Sequence, residues 1–486
     1  MPREKDGMEL LMERLMDPTP KREGGISNEE LMLHAVGIAG QSHTRSMVGR
    51  LDYYFNTVLK IDAAKVGWFT GISRIWDGIN DPMVGTYIDN HRFKNGEKLR
   101  PYLKITAPFV GIFSTLLFVN FGLPPTATML LMLVIYLLYD TFYSFQSVAL
   151  WGMTAMMSPH SSERSRAAQW ARIGSSVGGL LPGMITPALG YRDQMPFGLS
   201  GMFFFLALFF CFGGSMLSMT AAGAKERVPT PPNEDSFLKN LWVLRSNRIL
   251  IMLALAAFLD SLSPALDGIY LYQEMNYTVL GKPVPGEMII SVIGAFTSWP
   301  GAIAMFMARK AAKSWGGMRN VLIAAKLSDI AVRFFVYFVG YRSVGQLIVG
   351  AMLSMAAAVP GGMVGIANTA LWGDSVDYLE WKTGKRTEGI AFSTQNFLGK
   401  IGGGISSVIK GQILKRLLFD GSLAANRQPQ GPIFQKWAWG IHTLGPILGS
   451  FLSLLPLLCI RYSKEQKQQV EAELAERRAL AAEQCE

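Results

Sequence analysis

"ATMLLMLVIYLLYDTFYSF", residues 127–145, has no charged side chain from Ala127 to Tyr139 and meets its first one at Asp140. A helix apolar on every side belongs in a protein core or in a bilayer. Length decides for the bilayer, since about 20 residues of helix cross its hydrocarbon. The same signal recurs in "YLKITAPFVGIFSTLLFVNFGL" (102–123), "GMFFFLALFFCFGGSMLSM" (201–219) and "LGPILGSFLSLLPLLCI" (444–460). Over the 486 residues, 50% are hydrophobic and mean hydropathy is +0.23. The 50 glycines and 26 methionines suit helices packed through small and adaptable side chains. The expected fold is therefore an all-α membrane protein.

Working outward, the sequence predicts twelve spans, near 31–54, 64–89, 101–122, 126–150, 168–190, 198–222, 247–272, 286–310, 318–341, 344–372, 388–415 and 435–460. The polar, proline-bearing stretch between the sixth and seventh reads as a linker. The predicted organisation is a cytoplasmic tail (1–30), a six-helix bundle (31–222), a cytoplasmic linker (223–246), a second six-helix bundle (247–460) and a cytoplasmic C-terminal tail (461–486). The two basic turns "DNHRFKNGEKLRP" (89–101) and "RKAAKSWGGMRN" (309–320) follow the second span of each half. Such repetition suits a transporter of two related bundles with a midplane site between them. The tail "SKEQKQQVEAELAERRALAAEQCE" (463–486) reads as a solvated helix.

The formal net charge of +10 does not point to nucleic acid, because the bases collect in alternate loops. Arg92, Lys94, Lys98 and Arg100 follow the second span; Arg164 and Arg166 follow the fourth; Lys225, Arg227, Lys239 and Arg245 follow the sixth. Arg309, Lys310, Lys313 and Arg319 follow the eighth, and Lys382, Lys385 and Arg386 the tenth. The positive-inside rule then puts both termini in the cytoplasm of a multi-pass cell-membrane protein. The charged N-terminus lacks the apolar core of a cleavable signal peptide. Three cysteines, Cys211, Cys459 and Cys485, form no disulfide framework or metal-ligand spacing.

The second span is not apolar throughout. "GISRIWDGINDPMVGTYID" (71–89) carries Arg74, Asp77 and Asp81. An ionised side chain at the bilayer centre costs about 2.5–3.5 kcal/mol, so these groups face a cavity, the bundle interior or a partner. One reading is a structural ion pair, Arg74 with Asp77. The other is an oxygen cage of Asp77, Asp81 and the Asn80 amide that holds Na⁺ or shares a proton. In the fourth span Asp140, Ser144, Ser147 and Trp151 lie near one face, with Tyr143 beside them. The fifth span brings Arg172, the eleventh Gln395, Asn396 and Lys400. In the first, Gln41, Ser42, His43, Arg45 and Arg50 suit a helix lining a water-filled cleft. Asp260 and Asp267 in the seventh span share one face, and Lys326, Asp329 and Arg333 form a ladder in the ninth. For these, pairing between helices is the favoured reading.

"RIWDGINDP" (74–82) with "GTYIDNHRFKNGEKLRP" (85–101), "ERSR" (163–166) and "WGDSVDYLEWKTGKRTEGIAFSTQNFLGKIGGG" (372–404) together resemble the glycoside–pentoside–hexuronide:cation symporters of the major facilitator superfamily. The resemblance covers nearly the whole chain. It implies the major facilitator fold and cation-coupled sugar symport by alternating access. It implies that Asp77, Asp81, Asn80 and Ser144 bind the coupling cation, Na⁺ or H⁺, with no other cofactor. It implies substrate contacts from Trp151, Arg172 and Lys400, joined by Tyr143, Ser147, Ser42, Gln41, Asn396 and Asp140. Arg74, Asp374, Asp377 and Arg386 match the gating positions.

Two departures bear on the substrate. Acidic positions of the family align with Ser42 and Ser147. With Arg172 and Lys400 retained, the cavity is expected to be more positive and to favour an anionic sugar such as a glucuronide or hexuronide. A neutral glycoside or pentoside, or a lysolipid, are the alternatives. The expected partners are the small-molecule substrate and the lipid bilayer, with no nucleic acid, for a monomeric carrier. No paired-histidine metal motif, nucleophile elbow or phosphate-cradling loop supports an enzyme.

Overall fold

A computed structural model describes residues 16–17, 25–191, 194, 197–228, 247–272, 275–383, 388–460, 466–470, 472–474 and 476. A helix stands at each predicted span. In chain order these are α1 (Asn28–Val48), α2 (Ala63–Asn90), α3 (Arg100–Leu116), α4 (Pro125–Met156), α5 (Ser161–Gly183) and α6 (Gly198–Gly223). They continue with α7 (Arg248–Ser261), α8 (Gly286–Ala304), α9 (Met318–Val339), α10 (Val344–Thr383), α11 (Glu388–Arg416) and α12 (Pro432–Cys459). By length and composition α4, α6, α10 and α12 are apolar enough to cross a membrane. Among the others, α2 and α9 are made more polar by the charged residues singled out above.

Two compact units divide the chain. The first comprises Met1–Asp62 and Ile79–Glu234; the second comprises Ala63–Gly78 and Asp235–Glu486. The first half of α2 groups with the second unit because its glycines meet those of α11. A Cβ on Gly67 would stand 2.8 Å from the Gly411 Cα, and one on Gly71 would stand 2.5 Å from the Val408 side chain.

Within the first unit, α1 packs on α5 and α6, and α3 packs on α4 and α6. Within the second, α7 packs on α11 and α12, and α9 packs on α10 and α12. The second set is the first with every helix number raised by six, so the internal packing is repeated as well as the loop chemistry. The α1–α5 contact needs small residues: a Cβ on Gly174 would lie 2.1 Å from the Ala35 carbonyl oxygen, and one on Gly178 would lie 2.4 Å from that of Ala39. Small residues let backbones approach where hydrophobicity alone does not drive helices together.

Polar groups fix the helix ends. Ser27 caps α1 in a capping box, its hydroxyl accepting from the Glu30 backbone N–H at 3.1 Å while the Glu30 carboxylate accepts from the Ser27 N–H at 3.1 Å. Both Glu30 oxygens also accept from Arg227 at 2.9 Å. Burial pushes the Glu30 carboxyl up, but the Arg227 hydrogen bond and charge and the backbone N–H donors outweigh it and hold it below the usual carboxylate value. Glu226 accepts from the backbone N–H groups of Lys98, Leu99 and Arg100 at 2.9, 2.7 and 2.8 Å, placing an anion where the α3 dipole is positive.

Three expectations are corrected. The seventh span is not one helix over 247–272: α7 ends at Ser261, residues 262–268 are non-helical, and a short helix covers Ile269–Tyr272. Pro264, which cannot donate to a helical ladder, lies in the break. Asp260 and Asp267 therefore do not share a helix face. The next loop holds an antiparallel hairpin, Asn276–Val279 with Lys282–Pro285, turning at Leu280 and Gly281 with positive φ. The tail is not wholly solvated: Val470 and Leu474, one helical turn apart, are 1% and 3% exposed. Lys467 pairs with Asp374 at 2.7 Å, and Trp381 Nε1 donates to Glu473 at 2.6 Å, so the tail helix docks on the end of α10.

Candidate functional site

The acids of α2 are engaged by polar partners within each unit. In the first unit the buried Ser144 hydroxyl of α4 donates to Asp81 Oδ1 at 2.8 Å and accepts from the Asn80 amide at 3.1 Å. Asn80 also donates to the Asp140 carboxylate and backbone carbonyl, each at 3.3 Å. Asn80 and Asp140 are 4% and 3% exposed. Helical spacing explains the arrangement, because Asp140 and Ser144 are one turn apart on α4 and so reach adjacent residues of α2. Asp81, Asp140 and Ser144 thus supply hard oxygens, the donor type preferred by small cations, whereas Asn80 presents its NH2 to them and not the amide oxygen that the expected cage required.

In the second unit Lys400 Nζ pairs with Asp77 Oδ1 at 2.7 Å and also donates to the Asp77 carbonyl at 3.3 Å. Both side chains are about a quarter exposed. Arg74 is not the partner of Asp77 that the ion-pair reading expected: its Nη1 donates to the Gly403 carbonyl at 3.2 Å. Gly403 brings that carbonyl close because it has no side chain; a Cβ there would stand 2.8 Å from Arg74 Nη1.

Some of the expected substrate residues of the first unit have partners on neighbouring helices. Trp151, 40% exposed, donates its indole N–H to the Gln41 amide oxygen at 3.2 Å. The Gln41 Nε2 is buried with no hydrogen-bond partner among the described residues. Ser42 donates to Ser175 of α5 at 3.0 Å, one turn beyond the exposed Arg172. Tyr143 and Ser147 are half-buried, and the Tyr143 ring packs against Tyr139. Asp374 is held by Lys467, and Asp377 is half-buried. Arg386 and the Asn396 side chain lie outside the described residues.

Sequence reasoning missed Ser175, although its three-residue step from Arg172 places it on the same side of α5. It also missed Lys410, which pairs with Asp267 at 3.2 Å. The pairing expected of the seventh and ninth spans is present in a Lys326–Asp260 ion pair between α9 and α7. Asp329 instead accepts from Arg333 in its own helix at 2.8 Å and from Ser450 of α12 at 3.0 Å.

A family model described as MFS/sugar transport protein matches residues 37–464. The chain is similar to the lactose permease of Lactobacillus delbrueckii subsp. bulgaricus, 28% identical over 347 residues that make up 69% of this chain and 53% of that protein. It thus spans about half that relative's length. It is also similar to a putative 2,3-dihydroxypropane-1-sulfonate exporter of Escherichia coli (strain K12), 24% identical over 377 residues, 75% of this chain and 78% of that one. In fold it is similar to the crystal structure of a D-xylose-proton symporter, with a TM-score of 0.59 at 12% identity, over 87% of this chain and 96% of that one.

Proposed function

Because the chain belongs to the MFS/sugar transport protein family, and is not an enzyme, we propose that it is a cation-coupled symporter of a sugar or glycoside working by alternating access in the cell membrane. The observation that carries this reading is the treatment of the α2 acids. Asp81 is met by the Ser144 hydroxyl and Asp77 by the Lys400 ammonium, while buried Asn80 donates to both Ser144 and Asp140. A helix needing only to span lipid has no use for such groups.

The chemistry follows from charge. Two ionised carboxylates one turn apart, about 6 Å along a helix, repel by roughly 3 kcal/mol at an effective dielectric of about 20. Lys400 offsets this at Asp77 and the Ser144 hydroxyl offsets it at Asp81. A coupling cation, Na⁺ or H⁺, takes over from Lys400. The released ammonium then has three donors to offer a sugar hydroxyl or carboxylate. Cation binding thereby improves substrate binding, and by linkage the substrate improves cation binding to the same degree.

The substrate stacks on exposed Trp151 and takes the exposed Arg172 guanidinium, with Gln41 holding the Trp151 indole in place. Arg172 makes no ion pair among the described residues, and Ser42 and Ser147 supply no negative charge. The nearest acid along α4, Asp140, is buried and engaged by Asn80. This favours an anionic sugar, a hexuronide or glucuronide, and the relative named for a sulfonate is in keeping with it. A neutral glycoside is the second reading, favoured by the Asp77–Lys400 pair, which cancels one of the two positive charges.

The test is counterflow in proteoliposomes with glucuronides and neutral glycosides, varying Na⁺ and pH separately. Exchange of glucuronides stimulated by one cation is expected. Exchange of neutral sugars alone overturns the anion preference, and no sugar exchange under any gradient overturns sugar symport.

A further inference from the structure

The second unit holds a polar cavity of about 320 Å³ that the proposed transport site does not use. Asp260 comes from α7, Lys326, Asp329 and Arg333 from α9, and Ser450 from α12. From α10 the cavity is lined by Ala357, Gly361 and Val364, all uncharged. The volume is at the lower end of small-molecule sites and fits one sugar-sized ring.

The hydrogen-bond account of this cavity is unbalanced. Lys326 has three donors and spends one on Asp260. Arg333 has five and spends its Nε on Asp329 Oδ1, while Ser450 takes Asp329 Oδ2. Among the described residues, no further hydrogen bond is made by the Arg333 Nη atoms or by Asp260 Oδ2. The wall thus keeps several donors and one carboxylate oxygen for a ligand. Its formal charges, two negative and two positive, sum to zero. A ligand with a net charge would leave that balance unmatched. A neutral polyol would not: its hydroxyl oxygens accept from Lys326 and Arg333, and its hydroxyl hydrogens go to Asp260.

We propose that the cavity bounded by Asp260, Lys326, Asp329 and Arg333 is a second binding site, for a neutral polyhydroxylated solute of monosaccharide size. The site goes beyond the transport reading and stands without it. A ligand there bridges α7, α9 and α12 and stabilises the second unit in the arrangement that binds it.

The test places a thiol among the α10 residues that line the cavity. In full-length protein lacking its native cysteines, Ala357→Cys is alkylated with N-ethylmaleimide, with Gly361→Cys as the alternative position. D-xylose and D-galactose are the neutral probes and sodium D-glucuronate the charged one. Either neutral sugar is expected to slow alkylation about ten-fold at about nine times its Kd. Protection should persist when Trp151→Ala disables the proposed transport site, and should vanish with Lys326→Gln or Arg333→Gln in protein that stays monodisperse. Three outcomes overturn the proposal: no protection by either neutral sugar at either thiol, protection by glucuronate alone, or protection abolished by Trp151→Ala. Loss of counterflow with protection intact would remove the transport reading and leave this site standing.

Discussion

Replacing Ser144 by alanine tests the oxygen cluster of α2 and α4 at its centre. The hydroxyl is buried, donates to Asp81 at 2.8 Å and accepts from Asn80 at 3.1 Å. Alanine removes both bonds with little change in volume. Asn80 keeps Asp140 as an acceptor, so the larger loss falls on Asp81. A hydrogen bond or ligand contact to a charged group contributes about 1.5–3 kcal/mol. The hydroxyl also steadies ionised Asp81 before the cation arrives, so part of the loss is common to both states. The lower end, about 1.5 kcal/mol, is the better figure, and it corresponds to about ten-fold in affinity. The assay is counterflow against Na⁺ concentration and, separately, pH. Half-saturation by the coupling cation should rise about ten-fold in Ser144→Ala and much less in Ser144→Thr, which keeps the hydroxyl. An unchanged half-saturation in a normally folded Ser144→Ala protein would refute the assignment of Ser144 to the cation site.

Three further outcomes follow from the packing and the charges. Glu30 has a folded-state carboxyl pKa held below its unfolded value, so its stabilising contribution is complete above the unfolded value, about 4.3, and is lost as pH falls through the folded one; the melting-temperature gap between wild type and Glu30→Gln should be full at pH 7 and shrink in acid, and a gap independent of pH would contradict this. Gly174→Ala should destabilise by at least about 1–3 kcal/mol through overpacking against Ala35, whereas Gly179→Ala, which meets nothing within 4 Å, should not, as read by thermal shift in detergent; equal shifts would contradict the close approach of α1 and α5. Val470→Asp puts a charge where exposure is 1%, so cleavage of the tail by added protease should speed up about ten-fold or more if docking is weakened by at least 1.4 kcal/mol; wild-type cleavage rates would mean that the tail is not held on α10.

Helix positions were legible because an apolar run of bilayer length leaves few alternatives, and each predicted span meets a helix. The face of α4 that carries Asp140 and Ser144 was legible from three- and four-residue steps alone. Partners were harder. Periodicity says which side of a helix a residue occupies but not which helix comes opposite, so the choice of Lys400 over Arg74 for Asp77 was not available from spacing. The same limit hid Lys410 and Ser175. The break after Ser261 was overlooked because the flanking residues are apolar enough to carry a helical pattern past Pro264. The docked tail was missed because two buried residues, Val470 and Leu474, make too narrow an apolar stripe to stand out from a charged sequence.

Gradient-driven accumulation by Asp77→Asn and Asp81→Asn in proteoliposomes bears most directly on the central claim, that the acids of α2 bind and release an ion in each transport turn. The expected result is loss of uphill uptake in both variants, while substrate exchange at equal cation concentrations on the two sides persists. Uphill accumulation at wild-type levels in both would contradict the claim and move the coupling site off α2.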